Sequence, residues 1–290
     1  MGKMKYMTCA LLACGAALGI SAWFYSENRN SSGMTPRHQD STTDKDAQAL
    51  GQATGSAPNP QKRKTHHLLQ EADRVTVPKG NAAAVVQQLL PLADKGDARA
   101  ALTIYEKLSP CISLASMSVN ESQLLAYKEA GIDERAVFES LRQRRFDCEG
   151  SKDILAQRGR QLAQAAAAGL PEAQLLYATD SEAIIGNREE ALKNPEKVIE
   201  YKSRSLSYLN SLVAAGSVDA MIALSGMYSG SSLMSEDPLR AYAYKRAAQL
   251  AMPEIFSHKE VAILKDRLNP EASEKAEAMA HNIYSSCCKN

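Results

Sequence analysis

Four cysteines outside the apolar N-terminal segment are the residues best suited to covalent chemistry, and the spacing of two of them predicts a disulfide bond. Cys111 follows Gly96 by 15 residues. Cys148 follows Gly131 by 17 residues, a nearly equivalent place in the next unit of a helical repeat. Stacked helices bring such loops within about 10 Å of each other. We therefore expect a Cys111–Cys148 bond worth on the order of 3 kcal/mol if the chain is exported, with two buried free thiols as the alternative.

The neighbouring cysteines Cys287 and Cys288 lie close to the last residue of the sequence. One interpretation is structural, with one of them linking the last helix to its neighbour. The second is a redox-active pair or a site for a soft metal, although no third or fourth ligand is nearby in the sequence. The third is free or intermolecular thiols. All three interpretations stay open, and neither a metal nor a cofactor is expected.

Arg142, Arg144 and Arg145 form the densest basic cluster of the folded region. Apolar residues interleave with these arginines at helical spacing and are expected to form the buried face of a helix, so that the arginines cover its solvated face. A patch for an acidic partner or a phosphate group is the alternative. The interleaved apolar residues are Phe138, Leu141 and Phe146.

Sequence signatures of catalysis and of general nucleic-acid binding are missing. There is no Gly-x-Ser-x-Gly motif, no phosphate-binding Gly-rich loop and no dinucleotide-binding fingerprint. The 34 Lys and Arg residues oppose 33 Asp and Glu residues, whereas a general nucleic-acid binder needs a basic excess or stripe. We therefore expect neither an enzyme nor a nucleic-acid partner.

Residues 1–26 predict a membrane anchor or a signal segment. Lys3 and Lys5 precede an uncharged stretch over residues 6–26, which as a helix is long enough to cross roughly 30 Å of hydrocarbon. Basic residues before such a helix leave the rest of the chain on the far side of the membrane. We expect a single-pass inner-membrane anchor with a periplasmic domain. The alternatives are a cleaved secretory signal and a lipoprotein modified at Cys14.

Residues 27–65 contain almost no large apolar side chain and are expected to be a disordered linker. Residues 66–290 then form the folded domain, in which a turn position recurs. The intervals between Gly96, Gly131, Gly169, Gly216 and Ala251 are 35, 38, 47 and 35 residues. Glycine supplies the left-handed end of one helix, and an acidic residue or proline begins the next. Because one helix pair cannot bury its apolar face alone, neighbouring pairs must stack.

The copy of the repeat between Val213 and Ala251 is the clearest. Its characteristic residues are Gly216, Ala220, Leu224, Gly226, Tyr228, Gly230, Asp237, Pro238, Ala241, Tyr244, Lys245, Ala247 and Ala248. They resemble the Sel-one-like repeat family, relatives of tetratricopeptide repeats with a period of about 36 residues. The resemblance covers roughly residues 81–255. It implies an adaptor-like α-solenoid rather than an enzyme.

The expected fold is therefore all-α, a right-handed solenoid of about five antiparallel helix pairs. Helices are expected near residues 66–74, 81–95, 97–108, 120–130, 133–147, 152–168, 171–180, 196–215, 217–229, 237–250, 254–268 and 271–285. Asn120, Ser151 and Asp237 are the expected N-terminal caps, and Pro195, Pro238 and Pro270 the expected first-turn residues. Residues 181–195 are an insertion in the long repeat.

The expected function is that of a membrane-anchored adaptor of the cell envelope that binds another protein or peptide. Tyr105, Tyr177 and Tyr228 are candidates for its partner surface, because tyrosine is frequent at the centre of interfaces. Ordinary core packing is the alternative for each of them. A periplasmic enzyme acting on the cell wall, a periplasmic ligand-binding protein and a purely structural spacer are the alternative functions.

Overall fold

Glycine turns divide the folded chain into helix pairs. The computed structural model describes residues 74–114, 121–230 and 233–288 of the 290-residue chain. The expected anchor over residues 6–26 and the expected linker over residues 27–65 lie outside the described residues. Within the described ranges the regular structure is helical and no strand is present, as the sequence predicts.

Thirteen α-helices and one short 3₁₀ helix, Lys152–Ile154, occupy the described ranges. In chain order the α-helices are α1 (Ala82–Ala93), α2 (Ala98–Leu114), α3 (Glu121–Glu129), α4 (Glu134–Asp147), α5 (Gln157–Ala167), α6 (Pro171–Thr179), α7 (Ser181–Ile185), α8 (Arg188–Lys193), α9 (Pro195–Ala214), α10 (Val218–Tyr228), α11 (Pro238–Ala251), α12 (His258–Lys265) and α13 (Pro270–Cys287).

The turn between α1 and α2 shows why the repeat contains glycine. Gly96 has a φ of 97°, which a side chain would disfavour, and its N–H donates to the carbonyl oxygen of Ala93 at 2.8 Å. Asp97 then caps α2, because its carboxylate accepts from the N–H of Ala100 at 3.0 Å. The same left-handed conformation occurs at the other predicted turn glycines, Gly131, Gly169 and Gly216.

Ala251 does not form a turn of this kind, so the prediction of a fifth repeat turn there is wrong. It is the buried last residue of α11, and the chain leaves that helix through Met252 with a φ of −139°. The physical reason is the β-carbon of alanine, which disfavours the left-handed conformation that glycine adopts at the other four turns. The next helix begins only at His258.

Helix pairs that follow one another in the chain pack side by side. Contacts join α1 to α2, α2 to α5, α5 to α6, α6 to α9, α9 to α10, α10 to α11 and α11 to α13. Two large core clusters result, one mainly from α1, α2, α5 and α6 and the other mainly from α9, α10, α11 and α13. Alanines without exposed surface allow the helices to approach closely, among them Ala165, Ala166, Ala247 and Ala248.

The pair α3–α4, which contains the weak repeat around Gly131, lies beside this row of helices. It packs on α2 through α4, whereas α2 and α5 contact each other directly. No residue of α4 is buried. The side-chain amide of Asn81 donates to the carbonyl oxygens of Phe146 and Glu149, at 3.3 and 2.8 Å, which ties the end of α4 to the start of α1.

Helix α2 is longer than expected. The sequence predicts its end near residue 108, before Pro110, but the helix runs through that proline to Leu114. Pro110 cannot donate a backbone hydrogen bond, which normally weakens a helix. Leu108 and Cys111 lie on either side of it in the core, and their burial keeps the helix together.

Of the two predicted helix caps that the structure describes, one is confirmed and one is wrong. Asp237 caps α11 by accepting from the N–H of Arg240 at 3.0 Å. Ser151 makes no cap, because its hydroxyl donates to the carbonyl oxygen of Cys148 at 2.7 Å. Asn120 lies outside the described residues. First-turn prolines are present as predicted at Pro195, Pro238 and Pro270.

Candidate functional site

A cluster of charged groups lies where α2, α5 and α6 meet α7, the first helix of the insertion. Asp180 joins α6 to α7, and its Oδ1 caps α7 by accepting from the N–H of Ala183 at 3.0 Å. Its Oδ2 accepts from the hydroxyl of Tyr105 at 2.7 Å and lies 3.2 Å from Nη1 of Arg158. One carboxylate therefore connects side chains of α2 and α5 to the start of α7.

Arg158 is held inside this cluster, with only 9% of its surface exposed. Its guanidinium carbon lies 5.8 Å from the centroid of the Tyr105 ring, a distance suited to a cation–π contact. A buried guanidinium is costly unless it is paired, and Asp180 supplies the opposite charge. Next to it, Gly159 lets α7 approach α5, because a β-carbon at that position would overlap the carbonyl oxygen of Ala183.

Arg158 also lines a cleft of about 330 Å³ between α5 and the insertion. On its rim, Glu190 accepts from the backbone N–H of Asn187 at 3.0 Å, which completes a capping box at the start of α8. Glu182 stands on α7 at the exposed edge. The residues around the cleft are Ile112, Leu155, Ala156, Arg158, Gly159, Glu182, Ala183, Gly186, Asn187 and Glu190.

Two further carboxylates, Glu106 and Glu172, lie close to the cluster. Burial raises the pKa of the Glu106 carboxyl above its ordinary value, and the nearby charges of Glu172 and Asp180 raise it further, while Arg74 lowers it. Glu172 is buried, and its Oε2 accepts from the backbone N–H of Val75 at 3.0 Å. The first described residues of the chain are thus tied to α6 by an acidic group.

Because its pKa is raised in the folded state, ionised Glu106 destabilises the fold at neutral pH. We expect Glu106→Gln to raise the midpoint of thermal unfolding at pH 7. The gain should shrink as the pH falls through the folded pKa, and it should disappear about one unit below the pKa of an unfolded glutamate, about 4.3, where both states are protonated. Thermal unfolding from about pH 3 to pH 7 measures this. Glu274→Gln, an exposed position on α13, serves as the control and should leave the midpoint unchanged. A lower midpoint for Glu106→Gln at pH 7 would contradict the prediction.

Only Tyr105 of this cluster is a site candidate on the sequence alone. The sequence nevertheless contains a signal for the buried charged residues. Arg158 precedes the buried Leu162 and Ala165 by four and seven residues, so it occupies the apolar stripe of α5. Glu172 stands next to the buried Ala173 at the start of α6. A charge in an apolar stripe needs a buried partner, but the sequence alone does not say which residue provides it.

The three tyrosines considered as candidates for a partner surface are buried, which confirms the alternative of core packing and rules out the partner surface at these positions. Tyr105 reaches Asp180 from α2, which places its ring between α2 and α5. The Tyr177 ring stacks on Tyr201 with centroids 5.6 Å apart, and Tyr228 stacks on Tyr244 at 5.9 Å. Burial raises the pKa of Tyr177 to about 12. Each ring fills the space between one helix and its neighbour, because a large flat side chain gains most by leaving water there.

Two of the three apolar residues of α4 that were expected to be buried are exposed instead, and the third, Leu141, is partly buried. Phe138 and Phe146 show 49% and 60% of their surface, so the prediction that they are buried is wrong. The reason is the packing of α4, which contacts the rest of the fold through α2 and α3. Arg142 and Arg145 are exposed and Arg144 is partly buried. We call the exposed group Phe138, Arg142, Arg145 and Phe146 the α4 surface.

The cysteines are arranged in two pairs among the described residues. The sulfur atoms of Cys111 and Cys148 lie at bonding distance, with Cα atoms 5.5 Å apart, so α2 and the end of α4 meet as the spacing predicts. The sulfur atoms of Cys287 and Cys288 contact each other in the core cluster of α9, α10, α11 and α13. Neither of these two is bonded to a cysteine of a neighbouring helix, contrary to the first interpretation of this pair.

No model of a known protein family matches this chain, and searches of curated proteins and of solved structures found no match. The resemblance to Sel-one-like repeats therefore stays a prediction.

In the part of the chain that the structure describes, no helix is both long and apolar enough to span a membrane. In the same part, no group of three His, Cys, Asp or Glu side chains is arranged to hold a metal ion.

Proposed function

We propose that this protein is a membrane-anchored adaptor of the cell envelope that binds another protein through the α4 surface. The observation that carries the proposal is the exposure of two of the chain's four phenylalanines on one helix that has no buried residue. Exposed aromatic side chains beside arginines are typical of interface centres. Residues 138, 142, 145 and 146 share one face of the helix, because they are spaced by about one and two turns.

The proposed partner segment carries acidic side chains next to apolar ones. Arg142 and Arg145 lie between the two exposed rings along the helix, and charges of opposite sign on a partner orient it and speed its binding. The apolar part of the segment would cover Phe138 and Phe146, which is the part of the contact that removes most surface from water.

A right-handed α-solenoid of the Sel-one-like kind is part of this proposal. It is supported by the succession of packed helix pairs from α1 to α11, and by the tyrosines that pack between neighbouring helices. Placement of the domain outside the cytoplasm is supported by the two cysteine pairs at bonding distance, since disulfides persist in oxidising compartments. Residues 6–26 are the proposed membrane anchor.

Site-specific photocrosslinking in the cells that make this protein tests the proposal. A photoreactive phenylalanine analogue at position 138 or 146 should crosslink the same partner protein, since both side chains lie on the α4 surface. The double substitution Arg142→Glu and Arg145→Glu should lower the yield by about tenfold. None of these changes should unfold the chain, because all four side chains are exposed.

Matched controls are available at Leu192 on α8 and Ile263 on α12, which are exposed apolar residues away from the α4 surface. The analogue at either position should not crosslink that partner. Equal yields from the α4 surface and from the controls would contradict the proposal and favour a structural spacer. Yields that do not respond to the arginine substitutions would contradict the acidic partner segment.

A further inference from the structure

The cleft beside the charged cluster contains a hydrogen-bond donor group that is only partly used. The guanidinium of Arg158 carries five N–H groups, and within the described residues Asp180 is its only ion-pair partner. Oδ2 of Asp180, which faces Arg158, also accepts from the hydroxyl of Tyr105. Arg158 is thus fixed in place by the cluster while it lines the cleft wall, and a guanidinium is a group that pairs well with a carboxylate.

The rim of the same cleft contains unused acceptors. The carboxylate of Glu182 makes no hydrogen bond or ion pair with any other described residue. Glu190 uses one oxygen to accept from Asn187, which leaves the second oxygen without a partner among the described residues. Gly186 has a φ of 80°, and a β-carbon there would overlap the Glu190 carboxylate, so that carboxylate packs directly on the glycine. Two carboxylates therefore line the same cleft as the fixed guanidinium of Arg158.

We propose that this cleft binds a small zwitterion, an α-amino acid or a short peptide with free termini. The carboxylate of the ligand would pair with Arg158, and its ammonium group with Glu182 and Glu190. A simple anion would be repelled by the two glutamates, and a simple cation would be repelled by the guanidinium of Arg158. The volume of about 330 Å³ lies at the lower end of ligand pockets. The inference does not depend on the adaptor function, because no residue of the α4 surface lines the cleft.

Calorimetric titration of the full chain with four probes tests this inference. L-alanine and L-alanyl-L-alanine both carry free termini and differ in the distance between their charges. N-acetyl-alanyl-alanine lacks the ammonium group, and alanyl-alanine amide lacks the carboxylate. At least one of the two free zwitterions should bind saturably at millimolar concentration, and both blocked probes should bind about tenfold more weakly than the better free zwitterion or not at all. The better of the two free probes identifies the length of the ligand.

Substitutions in the cleft test the contact to each charged group of the ligand separately. The double substitution Glu182→Gln and Glu190→Gln should remove the preference for a free ammonium group while the preference for a carboxylate persists. It should not disturb the fold, because both residues are exposed and glutamine also completes a capping box. Arg158→Lys keeps the charge but loses the fork of parallel donors, so it should weaken the preference for a free carboxylate.

Glu189→Gln is the matched control, because Glu189 is an exposed glutamate of α8 that pairs with Lys193 and does not line the cleft. It should bind the free probe as the unchanged protein does. The inference is overturned if neither alanine nor alanyl-alanine binds saturably at millimolar concentration, or if the blocked probes bind as well as the free ones. Equal losses of binding in the Glu189→Gln control and the cleft variants would overturn it as well.

Discussion

Replacing Asp180 by alanine should lower the free energy of unfolding by roughly 3 to 5 kcal/mol, the range expected when a buried charge loses its partner. Asp180 makes three contacts at once, with the N–H of Ala183, the hydroxyl of Tyr105 and the guanidinium of Arg158. The largest part of the loss comes from Arg158, which would remain inside the fold with no counter-charge. Chemical denaturation at pH 7 measures the change.

Tyr105→Phe measures the contribution of the Tyr105 hydroxyl to stability separately from that of the Arg158–Asp180 charge pair. Burial, followed by the hydrogen bond to Asp180, raises the pKa of Tyr105 well above its ordinary value, so the hydroxyl stays protonated and donates. Its removal leaves the Arg158–Asp180 pair intact and should cost only about 1 kcal/mol. A Tyr105→Phe loss as large as that of Asp180→Ala would show that the charge pair is not the main contribution.

Asp237→Ala is the matched control for Asp180→Ala. Asp237 also caps a helix and lies 3.4 Å from Nε of Arg240, and the guanidinium of Arg240 lies over the Tyr228 ring. The Arg240 side chain, however, is 53% exposed. Because water can solvate Arg240 after the substitution, only the cap is lost, and the expected cost is about 1 kcal/mol. Equal losses at Asp180 and Asp237 would contradict the assignment of the larger effect to a buried charge.

The second large effect is expected at Gly159, where alanine should cost about 3 kcal/mol or more. A β-carbon at this position of α5 would overlap the backbone carbonyl of Ala183 on α7, and a backbone atom cannot rotate away as a side chain can. Relief requires α7 to move, and α7 is tied to the rest of the fold through Asp180. The same substitution should also weaken binding in the cleft, because Ala183 forms part of its wall.

Gly226→Ala is the control for Gly159→Ala, and it should raise the free energy of unfolding instead of lowering it. Gly226 lies inside α10, and a β-carbon there would meet no atom within 4 Å. Alanine is the better helix former and restricts the unfolded chain more, so the expected gain is about 0.5 to 1 kcal/mol. Denaturation midpoints of the Gly159→Ala variant, the Gly226→Ala variant and the unchanged protein measure both effects. A gain at both glycines would contradict the close approach of α5 and α7.

Most of the helices could be predicted because their boundaries depend on neighbours in the sequence. The turn glycine Gly169 acts on the residues next to it, Pro195 and Pro238 act within the first turn of their own helices, and Asp237 caps the helix that it begins. The insertion over residues 181–195 was recognised from the repeat length, but its two short helices were not. Those helices depend on Asp180 and Asn187 as caps, and on the approach that Gly159 permits.

The sequence by itself determined the all-helical class, most helix ends and the meeting of Cys111 with Cys148. Only the tertiary structure decided which helix faces are buried against neighbouring helices. Tyr177 and Phe138 look alike as aromatic residues on amphipathic helices, yet one is buried and the other exposed, because α6 has neighbours on several sides and α4 has few. The pairing of Tyr105 with Asp180 spans 75 positions. Burial and charge pairing of this kind depend on which helices are neighbours in space, and that is a property of the whole packed chain.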